Sequence, residues 1–264
     1  MDTVQLSKND GGIGILTLNR PHVRNALNWN AMGKFAEKID LISDDEEMRA
    51  LIVTGSEGAF CAGGDLYELD SYLTRQDGSR LGAIMGKALK RLENLPFPTL
   101  AAMEGPAIGG GAEIALACDL RVMAERAVIG LSHIRLAIMP AWGGGQRLLR
   151  LIGYTRAMEW LTGGRIISSI EAHTAGLANK LVPDGRAFEH TLELAESITK
   201  HARQAVSAIK SILRAGIELP ANEAESLERD TFPDVWASEE HVDASKRFVE
   251  RKVKKKATYS VVSR

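Results

Sequence analysis

A change of hydrophobic period near residue 190 is the feature that most limits how this chain can fold. Before it, short β-branched runs bounded by glycine or charge recur as "GIGILTLN" (12–19), "RALIVTG" (49–55), "PTLAAMEG" (98–105) and "DLRVMAE" (119–125), and they read as strands. Between them, "NWNAMGKFAEKIDLIS" (28–43) carries apolar residues at helical spacing behind an asparagine cap. "RLGAIMGKALKRLENL" (80–95) does the same and stops ahead of Pro96, where an α conformation is disfavoured. Strands that alternate with helices imply crossover units, hence an α/β architecture. Beyond 190 the pattern is helical only. The expected organisation is therefore a core over residues 1–190 and a helical region over 191–264.

Composition removes several classes of function. With 33 basic against 34 acidic residues among 264, there is no broad cationic field to hold nucleic acid or an anionic membrane, so neither is expected as a partner. No run of about 18 apolar residues occurs, and the first residues lack a charged segment followed by an apolar stretch, so a cytoplasmic protein is expected. Cys61 and Cys118 are the only cysteines, without CxxC spacing, and are expected to be free buried thiols rather than a disulfide or a zinc site. GxSxG and HExxH motifs are absent, and no metal is expected. The basic run "RKVKKK" (251–256) reads as a solvated tail, with contact to an anionic ligand as the alternative.

The chemistry concentrates in glycine turns. In "EGPAIGGGAEIALACDL" (104–120), Gly109, Gly110 and Gly111 fall where a strand hands over to a helix, with Glu113 inside the first turn. Free N–H groups at a helix entrance carry partial positive charge, and glycines leave them unshielded. Phosphate loops use GxxxxGK[ST] or GxGxxG, and neither the lysine nor the spacing is present, so a developing oxyanion fits better than phosphate. A second turn, "EGAFCAGGDLYEL" (57–69), again places Gly63 and Gly64 before an acidic residue and a helical segment. Two donors from two turns make a two-point oxyanion hole, and Glu113 would move a proton beside it.

These two stretches, with "NRPHVRNAL" (19–27) and "IMPAWGGGQRLLRLIG" (138–153), resemble in order and spacing the crotonase superfamily, the enoyl-CoA hydratase/isomerase family. The likeness runs from about residue 10 to about 185. It implies a spiral of ββα units with a helical C-terminal trimerisation region, assembled as a homotrimer or homohexamer. It also implies an acyl-CoA thioester substrate, with coenzyme A arriving as part of that substrate and no separate cofactor. Carried over motif by motif, the oxyanion donors are the N–H groups of Gly64 and Gly110, and the nucleotide end rests near Arg24, Ala26, Ala62 and Asp65. Trp142 is expected either to line the acyl pocket or to be packed in the core.

One departure matters for the reaction. Hydratases of the family carry a second glutamate in a phrase such as "PEI", where this chain has "GLSHIRLAIMP" and His133. Together with "PAWGG" in place of "PGAGG", histidine here also resembles the branch that decarboxylates ethylmalonyl- and methylmalonyl-CoA. The leading expectation is hydratase or isomerase chemistry through a stabilised enolate, using Glu113 and His133; the second is decarboxylation of a malonyl-type acyl-CoA. A catalytically impaired scaffold that binds CoA or RNA is the alternative from another class, and Glu113 and the balanced charge both speak against it.

Overall fold

The computed structural model describes the backbone of residues 2–262 and the side chains of 2–250; the run 251–256 thus lies outside the described side chains. The chain divides into two units, Met1–Lys200 and His201–Arg264. The first begins with β1 (Val4–Lys8), β2 (Ile13–Leu18), α1 (Trp29–Ser43), β3 (Ala50–Gly55), α2 (Leu66–Leu69) and α3 (Arg75–Asn94). It continues through β4 (Thr99–Met103), β5 (Ala107–Ile108), α4 (Gly110–Ala117), β6 (Leu120–Ala124) and β7 (Val128–Gly130). After a 3-10 turn at Ser132–Leu136 come α5 (Gly144–Ile152), α6 (Tyr154–Thr162), β8 (Ile167–Ser168), α7 (Ser169–Thr174), β9 (Lys180–Val182) and α8 (Ala187–Thr199).

All four expected strands are present as β2, β3, β4 and β6. They lie in a six-stranded sheet of order β1-β2-β3-β4-β6-β9, parallel throughout except for β1, which pairs antiparallel with β2. A parallel sheet covered on both faces explains why the β3 run "ALIVTG" and the β4 run "TLAAM" are apolar along nearly their whole length. Alternate residues serve different cores. Leu51, Val53, Ala101 and Met103 enter the large core with Phe35, Met85 and Leu89 from α1 and α3, while Ala50, Ile52, Leu100 and Ala102 meet Ala195 of α8. Each fully buried Leu, Ile or Phe side chain contributes about 1.5–3 kcal/mol relative to exposure. A smaller sheet, β5-β7-β8, stands apart from the first.

Helix starts follow their capping chemistry. Asn28 caps α1, its side chain accepting from the Ala31 N–H at 2.9 Å, as expected. α3 begins at Arg75, five residues before the apolar periodicity, because Thr74 and Asp77 form a reciprocal capping box. The division of the chain falls at Lys200 rather than at the change of period near 190, since α8 packs on the sheet. The second unit contains α9 (Arg203–Glu218), α10 (Ala221–Trp236) and α11 (Glu239–Val262). Among the described residues no helix is long and apolar enough to cross a membrane.

Candidate active site

The two glycine turns meet. Cys61 bridges Ala107, and the Ile108 N–H donates to the Cys61 carbonyl at 2.9 Å, which lays the 61–65 loop along β5 and the entrance of α4. Leu27 holds the same loop from its other edge: its N–H donates to the Gly63 carbonyl at 2.7 Å, and its carbonyl accepts from the Asp65 N–H at 2.9 Å. In such a parallel bridge the flanking residues make the bonds, so the N–H of Gly64 itself points away from Leu27. Gly63, at φ 92°, has no room for a side chain, since a Cβ there would sit 2.7 Å from the Ile108 carbonyl oxygen and 3.0 Å from the Gly110 nitrogen. The N–H groups of Gly64 and Gly110 have no acceptor among the described residues, and Gly110 opens α4.

Glu113, one turn into α4, is 1% exposed. Its Oε2 accepts from the N–H groups of Trp142 and Gly144, both at 2.8 Å, and its Oε1 accepts from the Ala141 N–H at 3.4 Å. These donors are the entrance of α5, so the carboxylate of one helix occupies the positive end of another. Its Oε1 also lies 3.2 Å from Nε2 of His133, whose side chain is 11% exposed and whose Nδ1 is buried without a partner. His133 arrives on the 3-10 turn after β7, twenty residues downstream of Glu113, and with His133 protonated the contact is an ion pair. The structure thus brings Glu113, His133, Gly110 and Gly64 together.

The remaining expected residues sort by what they touch. The carbonyl of Arg24 accepts from the Ala62 N–H at 3.0 Å, and Arg24 adopts the left-handed region at φ 51° with its side chain exposed, beside buried Ala26. Asp65 does not stand free at the surface. It is buried, and its Oδ2 accepts from Nη1 of Arg20 at 2.8 Å, while the same nitrogen donates to the Ala26 carbonyl at 2.6 Å. Trp142 is buried, and its ring lies so close to Gly110 that an added Cβ there would run into it. Both cysteines are free and buried, and burial pushes the Cys61 thiol up to about 12.

Two further residues were missed in the sequence. Arg20 lies in "LNRPH" and carries no local mark of its partner 45 residues away. Arg147 was detectable: Gly144, Arg147 and Leu148 are the buried residues of α5 and follow i, i+3, i+4 spacing, which places a charge on an inward face. Among the described residues no group of three His, Cys, Asp or Glu is arranged to hold a metal ion.

Two backbone N–H groups thus lie beside a buried carboxylate and an imidazole, the kinds of group that chemistry at a carbonyl oxygen with proton transfer calls for. Residues 8–258 match the family model described as enoyl-CoA hydratase/isomerase, and the chain belongs to that family. It is 34% identical over 253 residues to a short-chain-enoyl-CoA hydratase of Clostridium acetobutylicum, covering 96% of each chain. It is also 34% identical over 245 residues to an ethylmalonyl-CoA decarboxylase of Rattus norvegicus, covering 92% of this chain and 82% of the relative. The crystal structure of an enoyl-CoA hydratase from Bacillus anthracis superposes with a TM-score of 0.90 at 32% identity, over 94% of this chain and 96% of that one. The crotonase fold is thereby established for the chain.

Proposed function

We propose that the protein is an acyl-CoA enzyme of the hydratase/isomerase type, in which the thioester carbonyl accepts hydrogen bonds from the N–H groups of Gly64 and Gly110. The observation that carries this reading is the meeting of the two glycine turns beside Glu113 and His133. Charge that develops on the thioester oxygen in the enolate is met by donors already in place, which lowers the barrier without reorganisation. In hydration, the oxygen of water bonds to the β-carbon as one member of the Glu113–His133 pair takes its proton. The α-carbon receives a proton from the other member. Contact at 3.2 Å lets the proton return between the two, restoring the starting state. Coenzyme A enters as part of the substrate, with its nucleotide end near Arg24, Ala26 and Ala62; no separate cofactor is required. A cytoplasmic location accords with the two free cysteines.

Decarboxylation of a malonyl-type acyl-CoA is the second reading, favoured by histidine at 133 and by the likeness to the ethylmalonyl-CoA decarboxylase of Rattus norvegicus. The bond from the α-carbon to the carboxylate breaks, its electrons enter the enolate held by the two glycines, and the α-carbon then takes a proton. Assaying the purified protein against crotonyl-CoA, a 3-enoyl-CoA, methylmalonyl-CoA and ethylmalonyl-CoA separates the readings. Loss of enoyl absorbance supports hydration; carbon dioxide release with no hydration overturns it in favour of the second.

A further inference from the structure

The turn "AWGGG" (141–145) is gripped from two sides. Glu113 takes the N–H groups of Trp142 and Gly144 on one side. On the other, the buried Arg147 donates from Nη1 to the Trp142 carbonyl at 2.7 Å and from Nη2 to Oε2 of Glu93 at 3.1 Å. Two glycines of the turn answer to these two side chains. Gly143 sits at φ 93°, where a Cβ would lie 2.7 Å from Nη1 of Arg147, and a Cβ on Gly144 would lie 2.5 Å from Cγ of Glu113. The Trp142 carbonyl and the Gly143 nitrogen belong to one planar peptide. Fixing that carbonyl fixes the peptide that joins Trp142 to Gly143, between the two N–H groups that donate to Glu113, and so narrows the backbone rotations that direct them. Nε of Arg147 is buried without a partner, so the guanidinium is not placed to satisfy itself. An apolar side chain of similar volume would fill the space with no charge to desolvate.

We propose that Arg147, braced by Glu93, is a positioning residue that acts through the Trp142 peptide to hold the α5 donors on Oε2 of Glu113, leaving Oε1 directed at His133 and the substrate. The inference rests on Glu113 being the acid–base group of the proposed function. It assigns to a residue outside the reacting groups a share of turnover and no share of substrate binding.

The test compares Arg147→Met, Arg147→Lys, Glu93→Gln and Glu113→Gln on crotonyl-CoA, or on ethylmalonyl-CoA where the parent decarboxylates it. Displacing a reacting group by about 1 Å costs on the order of a hundredfold. In folded Arg147→Met, kcat should fall by about that factor while KM stays within about threefold. Arg147→Lys, whose ammonium reaches the carbonyl without bridging to Glu93, should recover part of the loss. Glu93→Gln keeps the volume and should lower kcat by about tenfold at constant KM, which keeps the test alive if Arg147→Met fails to fold. Parent kcat in the folded variants, or a kcat loss matched by an equal rise in KM, overturns the inference. If Glu113→Gln is inactive while Arg147→Met runs at the parent rate, the positioning role alone is lost. If Glu113→Gln itself runs at the parent rate, the acid–base assignment falls and the positioning role with it.

Discussion

Glu113 and His133 differ in charge type, and that difference separates the two chemistries. Removing the carboxylate in Glu113→Gln should lower hydration of crotonyl-CoA by at least about a hundredfold, the lower range for a positioned acid or base, as followed by enoyl absorbance. His133→Glu should preserve or raise hydration by restoring two carboxylates. In a decarboxylase the same change sets a carboxylate against the substrate's own, a repulsion on the order of several kcal/mol in a partly desolvated site, so carbon dioxide release should collapse. Activity indifferent to both changes would take both residues out of the site. Cys61 titrates in a separate way, because burial raises its thiol from 9.0 to about 12 in the folded chain. The associated stability is fully present below about pH 9 and is lost as pH rises toward 12, at up to about 1.4 kcal/mol per pH unit. Urea unfolding between about pH 8 and pH 11 should show this slope in the parent and lose it in Cys61→Ser, whose hydroxyl does not ionise there.

At the level of elements, the site is a junction of helix entrances. α4 presents Gly110 and Glu113, α5 presents its N–H groups to Glu113, and the Trp142 ring wedges against Gly110. Gly110→Ala should therefore shift the α4 entrance against the indole and lower turnover by about a hundredfold, the range for losing one oxyanion donor. Adding Trp142→Leu removes the obstructing ring, and the double variant should turn over faster than Gly110→Ala alone. Additive losses would show that the ring and the glycine are not coupled. Part of this junction is visible in the sequence: glycine runs ahead of acidic helical segments mark both turns. The reach of Glu113 to α5 is not visible, because the donors are backbone groups about 30 residues away and every residue but proline carries such a donor.

For the whole molecule, the described helices of the second unit leave apolar side chains uncovered. Ile209, Leu213 and Ile217 are exposed at four-residue spacing on α9, with Phe232 and Trp236 exposed on α10. A stripe of this kind is suited to contact with another chain, and assembly as a trimer or hexamer is the proposed use. Light scattering should give three or six times the 28.7 kDa chain mass, and Leu213→Asp should reduce it toward the monomer. A monomeric parent at micromolar concentration would contradict the proposal.

The features legible from neighbouring residues are local: the apolar strands, the Asn28 cap, the glycine turns, and the loss of strand signals in the last part of the chain. These signals repeat every 2 or 3.6 residues, or sit within one turn of a helix end, so neighbours in the chain suffice to read them. Tertiary structure alone decided the pairings. Asp65 could face a nucleotide or an arginine with the same polarity, and only the parallel bridge between residues 27 and 64 brings it to Arg20. The placement of α8 with the sheet, rather than with the helices after it, followed from the apolar face that Ala50, Ile52, Leu100 and Ala102 leave to be covered. Arg147 became meaningful for the same reason: a charge on an inward face has a role only once the fold supplies the carbonyl and the carboxylate that receive it.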